Sequence, residues 1–221
     1  MAREGTSRVL VTSGPTRAYL DRIRYIANAS SGALGANIAE QLMNRGIPVR
    51  LLLGEGAVRP QAPNPELLEI NPVITVEDLV VEIRRASARS EFKAVIHAMA
   101  VLDYAPEQSF PGKRRSDTED WVIRLVKTPK VIGMLKKLFP EAFLVGFKLE
   151  SGASEQDLIG SARKLLEQNS LDLVVANDIE RVSADRHEAI IVDAAGQILE
   201  RPSTKQEIAE TLAGIVSKRI G

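Results

Sequence analysis

The 221-residue sequence balances 29 Lys plus Arg against 29 Asp plus Glu and is 44% hydrophobic, which suits one α/β domain with an insertion and a sizeable core. No overall field gathers nucleic acid or an anionic membrane, so any anion site must be local. The absence of cysteine excludes a disulfide framework, a thiolate metal site and a cysteine nucleophile.

The N-terminus, Met1-Ala-Arg-Glu-Gly-Thr-Ser-Arg8, lacks the apolar run of a signal peptide, and no segment approaches the roughly 20 apolar residues that span a bilayer. A soluble, cytoplasmic protein is expected. A strand-like run at 8–12 leads through Ser13-Gly-Pro-Thr-Arg17 and Asn28-Ala-Ser-Ser-Gly-Ala-Leu-Gly35 into a helical stretch at 33–45. Small hydroxyls and glycines thus stand where a helix exposes unpaired N–H groups, a pattern suited to an anion. The spacing is not Gly-x-Gly-x-x-Gly. Taken singly, Ser30 and Ser31 read equally as helix N-caps and Asn28 as a turn residue; their convergence with Gly32 and Gly35 at one crossing favours a ligand.

Further strands are predicted at 49–53, 67–71, 93–98, 143–148 and 172–176, alternating with helices at 76–89, 129–138, 154–168 and 204–219. The alternation predicts an α/β fold with a doubly wound, mainly parallel sheet. Ligands bind such sheets beyond the strands' carboxyl ends, where Ser13, Ala100 and Asn177 fall. The proline-rich stretch 55–66 reads as a surface loop. Ala98 and Ala100 let a flat ligand approach the backbone, and Asp103 either offers oxygen to Mg²⁺ or caps a turn. His97 reads as a core residue.

Residues 104–128 leave the strand rhythm, pass Lys113-Arg114-Arg115 and return in the alternating run 121–126, which predicts a protruding two-stranded flap. An isolated hairpin is marginal in water, so it is expected to close over the site or pack on another subunit. Its cations, Lys113 foremost, are candidates for meeting phosphates, against the plain reading of a solvated charge run. Phe147 reads as core or as a platform for a base, Asn177 as an amide that donates and accepts, and Lys205 as a cap. His187 and His97 form no helical metal pair. A hairpin at 189–192 and 196–199 precedes the last helix.

Together, Asn28-Ala-Ser-Ser-Gly-Ala-Leu-Gly35, Ala98-Met-Ala-Val-Leu-Asp-Tyr104, the flap lysine, Lys127-Thr-Pro-Lys-Val-Ile, Val145-Gly-Phe-Lys-Leu-Glu150 and Val175-Ala-Asn-Asp178 resemble the phosphopantothenoylcysteine synthetases of coenzyme A biosynthesis. The resemblance runs from residue 8 to about 216 and suggests a stand-alone synthetase. It implies a Rossmann-like homodimer with exchanged flaps that joins 4′-phosphopantothenate to cysteine. The acid would attack the α-phosphate of CTP or ATP with Mg²⁺, and cysteine would displace the nucleotide from the acyl-nucleotidylate.

By the same resemblance Ser30, Ser31, Gly32, Gly35, Ala98, Ala100, Asp103 and Phe147 line the nucleotide site, and Asp103 is the position associated with metal. Asn28 and Lys113 are catalytic, the first as oxyanion donor; Asn177 and Arg114 hold substrate. The chain departs from the family pattern at Ala33, where many bacterial members carry Lys, in the flap wording, at His187 in place of an asparagine, and at Leu165 and Asn169 in place of nucleotide-facing lysines. These departures leave the choice between CTP and ATP open and admit a non-catalytic nucleotide-binding homologue. A short-chain NAD(P)-dependent reductase, with Glu55 on the ribose, lacks its Tyr-x-x-x-Lys: the residues four after Tyr19, Tyr25 and Tyr104 are Ile23, Ala29 and Gln108.

Overall fold

In the computed structural model, residues 8–89, 92–115, 120–183 and 185–221 are described. The N-terminal segment read above for targeting signals, apart from Arg8, and flap residues 116–119 lie outside them. Among the described residues no helix is long and apolar enough to cross a membrane.

The chain opens with β1 (Arg8–Ser13), a small hairpin of β2 (Arg17–Tyr19) and β3 (Tyr25–Ala27), then α1 (Ala33–Met43) and β4 (Val49–Gly54). It continues through β5 (Leu68–Val73), α2 (Val76–Ser87) and β6 (Phe92–His97) to the flap strands β7 (Tyr104–Pro106) and β8 (Leu125–Lys127). The second half holds α3 (Ile132–Leu138), β9 (Phe143–Glu150), α4 (Glu155–Asn169), β10 (Leu173–Val182), β11 (His187–Asp193), β12 (Ile198–Glu200) and α5 (Lys205–Ile220).

Eight strands form one sheet in the order β12-β11-β10-β9-β6-β1-β4-β5. The six strands β10-β9-β6-β1-β4-β5 pair in parallel, and β11 and β12 add the expected antiparallel hairpin. Successive β1 residues go to opposite faces: Val9 and Val11 pack with α1 and α5, Leu10 with α2 and α4. Burial on both sides is why these strands read as continuous apolar runs. After β5 the chain crosses to the other side of β1 to lay down β6, so the topological switch point lies between β1 and β6.

Three local features depart from or add to the reading of the sequence. The excursion between Gly14 and Gly32 contains the β2–β3 hairpin, which three-residue strands are too short to announce by periodicity. In the flap only Tyr104–Pro106 pairs with Leu125–Lys127; Trp121 to Arg124 alternate in sequence without a ladder partner among the described residues. The loop at 55–66 leads into a short 3₁₀ turn, Pro65–Leu67, capped by Asn64.

Candidate functional site

Close backbone packing builds the switch point. Ala100 N donates to Gly14 O at 2.9 Å and Thr16 N to Ala100 O at 3.2 Å, extending the β1–β6 pairing past both strands. Ser13 Oγ, fully buried, donates to Gly32 O at 2.9 Å. A Cβ on Gly35 would lie 2.2 Å from that same Oγ, and one on Gly32 3.1 Å from the Gly14 backbone. Gly32 also holds φ +74°, a left-handed conformation that favours glycine. These glycines let α1 start directly against the end of β1.

The two serines are not the caps of that helix. Gly32 occupies the N-cap position and no side chain caps α1. Ser30 Oγ accepts from Gly32 N at 3.4 Å and Ser31 Oγ from Ala33 N at 3.3 Å, long bonds that leave the hydroxyls free to turn. Asn28 Nδ2 donates to Val101 O at 3.1 Å, tying this loop to the segment after β6. Asn28, Ser30, Ser31, Gly32, Gly35, Ala98 and Ala100 therefore share one corner.

Asp103, also on that segment, is exposed and pairs with Lys130 Nζ at 2.5 Å. Thr128 N donates to Asp103 O at 3.0 Å, and its hydroxyl donates to Leu102 O. Sequence reasoning passed over Lys130 although Lys127-Thr-Pro-Lys was on view, because the contact spans 27 residues. Among the described residues no group of three or more His, Asp or Glu could hold a metal.

The far wall belongs to β9 and β10. His97 pairs with Gly146, which sets the half-buried Phe147 beside Ala98, on the face covered by α1 and α5. Asn177 is buried on the same side, but β10 continues to Val182, so it lies within the strand rather than beyond its end. It is the last residue of the regular ladder, opposite Ala189, before the register slips. Its Nδ2 lies 3.3 Å from His187 Nε2. His97 is a core residue as expected: its Nδ1 pairs with Thr12 Oγ1 at 2.8 Å, and burial lowers its pKa to about 4.

Of the four long helices, α1 alone has neither a side-chain cap nor an acid in its first turn. α2 and α4 carry capping boxes with Asp78 and Asp157, and α5 is capped by Thr204 with Glu207. The partial positive charge of α1 is thus the one left open, and it faces the corner just described.

The flap cations stand elsewhere in the chain's own fold. Residues 110–114 bind the turn of the β2–β3 hairpin: Phe110 N donates to Leu20 O, Arg22 N to Gly112 O and Arg114 N to Asp21 Oδ2. The Arg24 and Arg114 guanidiniums lie 5.0 and 5.2 Å from the Trp121 ring centre. Burial acts to raise the Asp21 pKa, but backbone N–H groups of Arg24, Ile23 and Arg114 and the Arg24 side chain outweigh it and hold the carboxyl well below its usual range. Arg114 is thereby engaged, Lys113 is exposed, and among the described residues neither contacts the Ser30–Gly35 loop. Leu165 and Asn169 lie on α4, on the face opposite α1; the first packs near Gly146, the second near Gly133.

A Rossmann-like α/β protein is thus defined, with an uncapped helix N-terminus at the switch point of a mainly parallel sheet. The family model described as the DNA/pantothenate metabolism flavoprotein C-terminal domain matches residues 5–220. The chain belongs to that family. It is 39% identical over 216 residues to the coenzyme A biosynthesis bifunctional protein CoaBC of Thermococcus kodakarensis, covering 96% of this chain and 51% of that protein. Its counterpart in Methanocaldococcus jannaschii is 27% identical over 221 residues, 100% of this chain and 52% of that one. The chain spans about half the length of the curated relatives it matches. The crystal structure of the DNA/pantothenate metabolism flavoprotein from Streptococcus pneumoniae superposes with a TM-score of 0.87 at 35% identity, covering 96% of this chain and 99% of that one. A Cab2 mutant in complex with phosphopantothenate-cysteine, at 21% identity and TM-score 0.75 over 97% and 87% of the two chains, shares the fold.

Proposed function

We propose that this chain is a phosphopantothenate–cysteine ligase, a single cytoplasmic synthetase unit that forms an amide through an acyl-nucleotidylate made from CTP or ATP. The observation that carries the reading is the open N-terminus of α1, set at the switch point among Asn28, Ser30, Ser31, Gly32 and Gly35. A triphosphate and a carboxylate repel each other, and fixed amide dipoles offset that repulsion at no reorganisation cost. Phe147, half-buried beside Ala98, suits a base on the far wall; Asn177, which the resemblance gives to the substrate, is buried on the same face and equally suits the nucleotide.

Asn28 Nδ2 donates one proton to Val101 O and has a second to offer the tetrahedral oxyanion that would form when the cysteine amine attacks. Mg²⁺ would travel with the triphosphate, since that ion commonly uses one or two carboxylates plus substrate phosphates; Asp103 is the carboxylate at hand, and the ion would neutralise phosphate charge. The flap and hairpin expose Tyr19, Ile23, Tyr25, Phe110, Val122 and Leu125, a concentration of apolar surface that favours a homodimer with exchanged flaps. Exchange would carry Lys113 and Arg114 to the partner's corner, where they would meet phosphate and substrate.

Pyrophosphate release tests the proposal. With CTP or ATP, release should require phosphopantothenate, and cysteine should then yield the amide product. Nucleotide binding without turnover would instead identify a non-catalytic homologue.

A further inference from the structure

The contact between Asn177 and His187 has a chemical direction. An amide nitrogen only donates, so Nδ2 at 3.3 Å from Nε2 requires that ring nitrogen to be unprotonated. The ring's proton then sits on Nδ1, which is buried without a hydrogen-bond partner. Asn177 Oδ1 makes no protein hydrogen bond among the described residues, so its lone pairs are unspent. Protonating Nε2 would set donor against donor. The amide relieves this by turning over, which sends Oδ1 to the ring and Nδ2 away from it.

Backbone geometry makes the pair possible. Asn177 ends the regular β10–β11 ladder opposite Ala189, and the chain rejoins it at Val182 opposite His187. His187 is thus the diagonal neighbour of Asn177 on the face of α1 and α5. Its backbone N donates to Ser203 O at 2.7 Å, fixing the ring's base.

We infer that His187 is a positioning residue: its unprotonated Nε2 holds the Asn177 amide with Oδ1 toward the ligand, so that the site selects a nucleotide presenting an amine there. The inference rests on the nucleotide-binding reading above. Charge around the ring favours the neutral form. Burial lowers the His187 pKa, and Lys205, in the first turn of α5, lowers it further. On β11, Glu188 is paired with Arg186, which lies just before the strand. From β10, the buried Asp178 accepts from the backbone of Glu180 and Ala153. Glu207 of α5 accepts from Ser203 N at 2.6 Å, and on β9 Glu150 pairs with Lys148.

Two measurements test this. In the free protein, the Asn177 side-chain amide resonance, identified by its loss in Asn177→Asp, should shift with the same midpoint as the His187 ring. An amide indifferent to that titration overturns the inference whether or not nucleotide binds. Equilibrium binding of CTP and ATP between pH 5 and 8.5 should weaken up to about tenfold per unit below the midpoint. His187→Asn should remove that dependence. The same acid weakening in wild type and variant overturns the role. No nucleotide binding by the wild type at pH 8 refutes the ligase reading, while the resonance titration still decides the pair.

Discussion

Replacing Gly35 with alanine tests the close packing that starts α1. The new Cβ would stand 2.4 Å from Ser13 Cβ and 2.2 Å from Ser13 Oγ, whereas carbon atoms settle about 3.5–4.0 Å apart. The helix start must therefore move by more than about 1 Å, and overpacking of this kind costs roughly 1–3 kcal/mol. Taking about 3 kcal/mol here and crediting about 1 kcal/mol for better helix propensity leaves a net loss of about 2 kcal/mol. For a chain of this size that corresponds to a Tm lower by about 4–8 °C. The matched control is Gly160 in α4, where a Cβ meets nothing within 4 Å; Gly160→Ala should stabilise by about 1 kcal/mol. Thermal and urea unfolding of both variants decide the matter. Stabilisation by both substitutions would show that the Ser13–Gly35 contact imposes no constraint.

Three more outcomes are expected. His97 titrates near 6.5 when unfolded and at about 4 when folded, so the unfolded chain takes up its proton first. Stability should fall by about 3 kcal/mol as pH drops from 6.5 to 4, and His97→Gln should flatten that part of the urea-midpoint profile. Asp21 is held below its ordinary pKa in the fold, so its contribution is present above about pH 4 and lost on further acidification. Asp21→Asn should therefore be less stable than wild type at pH 7, with the gap closing at pH 3. For Asn28→Ala, rapid-quench analysis should find the acyl-nucleotidylate accumulating, with the cysteine step slowed roughly 10²-fold; equal loss of both half-reactions would remove the oxyanion role.

The sheet was legible because its strands are buried on both faces, and most helices announce themselves through caps such as Thr75 with Asp78 and Ser154 with Asp157. The cap reading of Ser30 and Ser31 could not be dismissed from sequence, which does not show that Gly32 holds a left-handed backbone with Gly14 and Ala57 packed against it. Lys130 and the Asn177–His187 contact escaped notice for another reason: partners 27 and 10 residues apart meet only through sheet topology. The flap was visible as an alternating run, yet its anchorage on Asp21 and Arg24 lies about 90 residues back in the chain.

Ala33 stands at the first position of α1, where the resemblance drawn from the sequence leads one to expect lysine. The helix keeps its first turn free of acids and side-chain caps, so its dipole is unspent. Ala33→Glu exposes the trade. An acid in the first turn of a helix stabilises it by about 0.3–1 kcal/mol, so the variant's Tm should hold or rise. The same charge about 5 Å from a triphosphate opposes binding by roughly 1–3 kcal/mol at surface dielectric values, a loss of about 5- to 150-fold in nucleotide affinity. Ala33→Lys should move both quantities the other way. Isothermal titration with CTP and ATP, read beside the melting curves, separates the two effects. Unchanged affinity in a stabilised Ala33→Glu protein would mean that the phosphates lodge somewhere other than the start of α1.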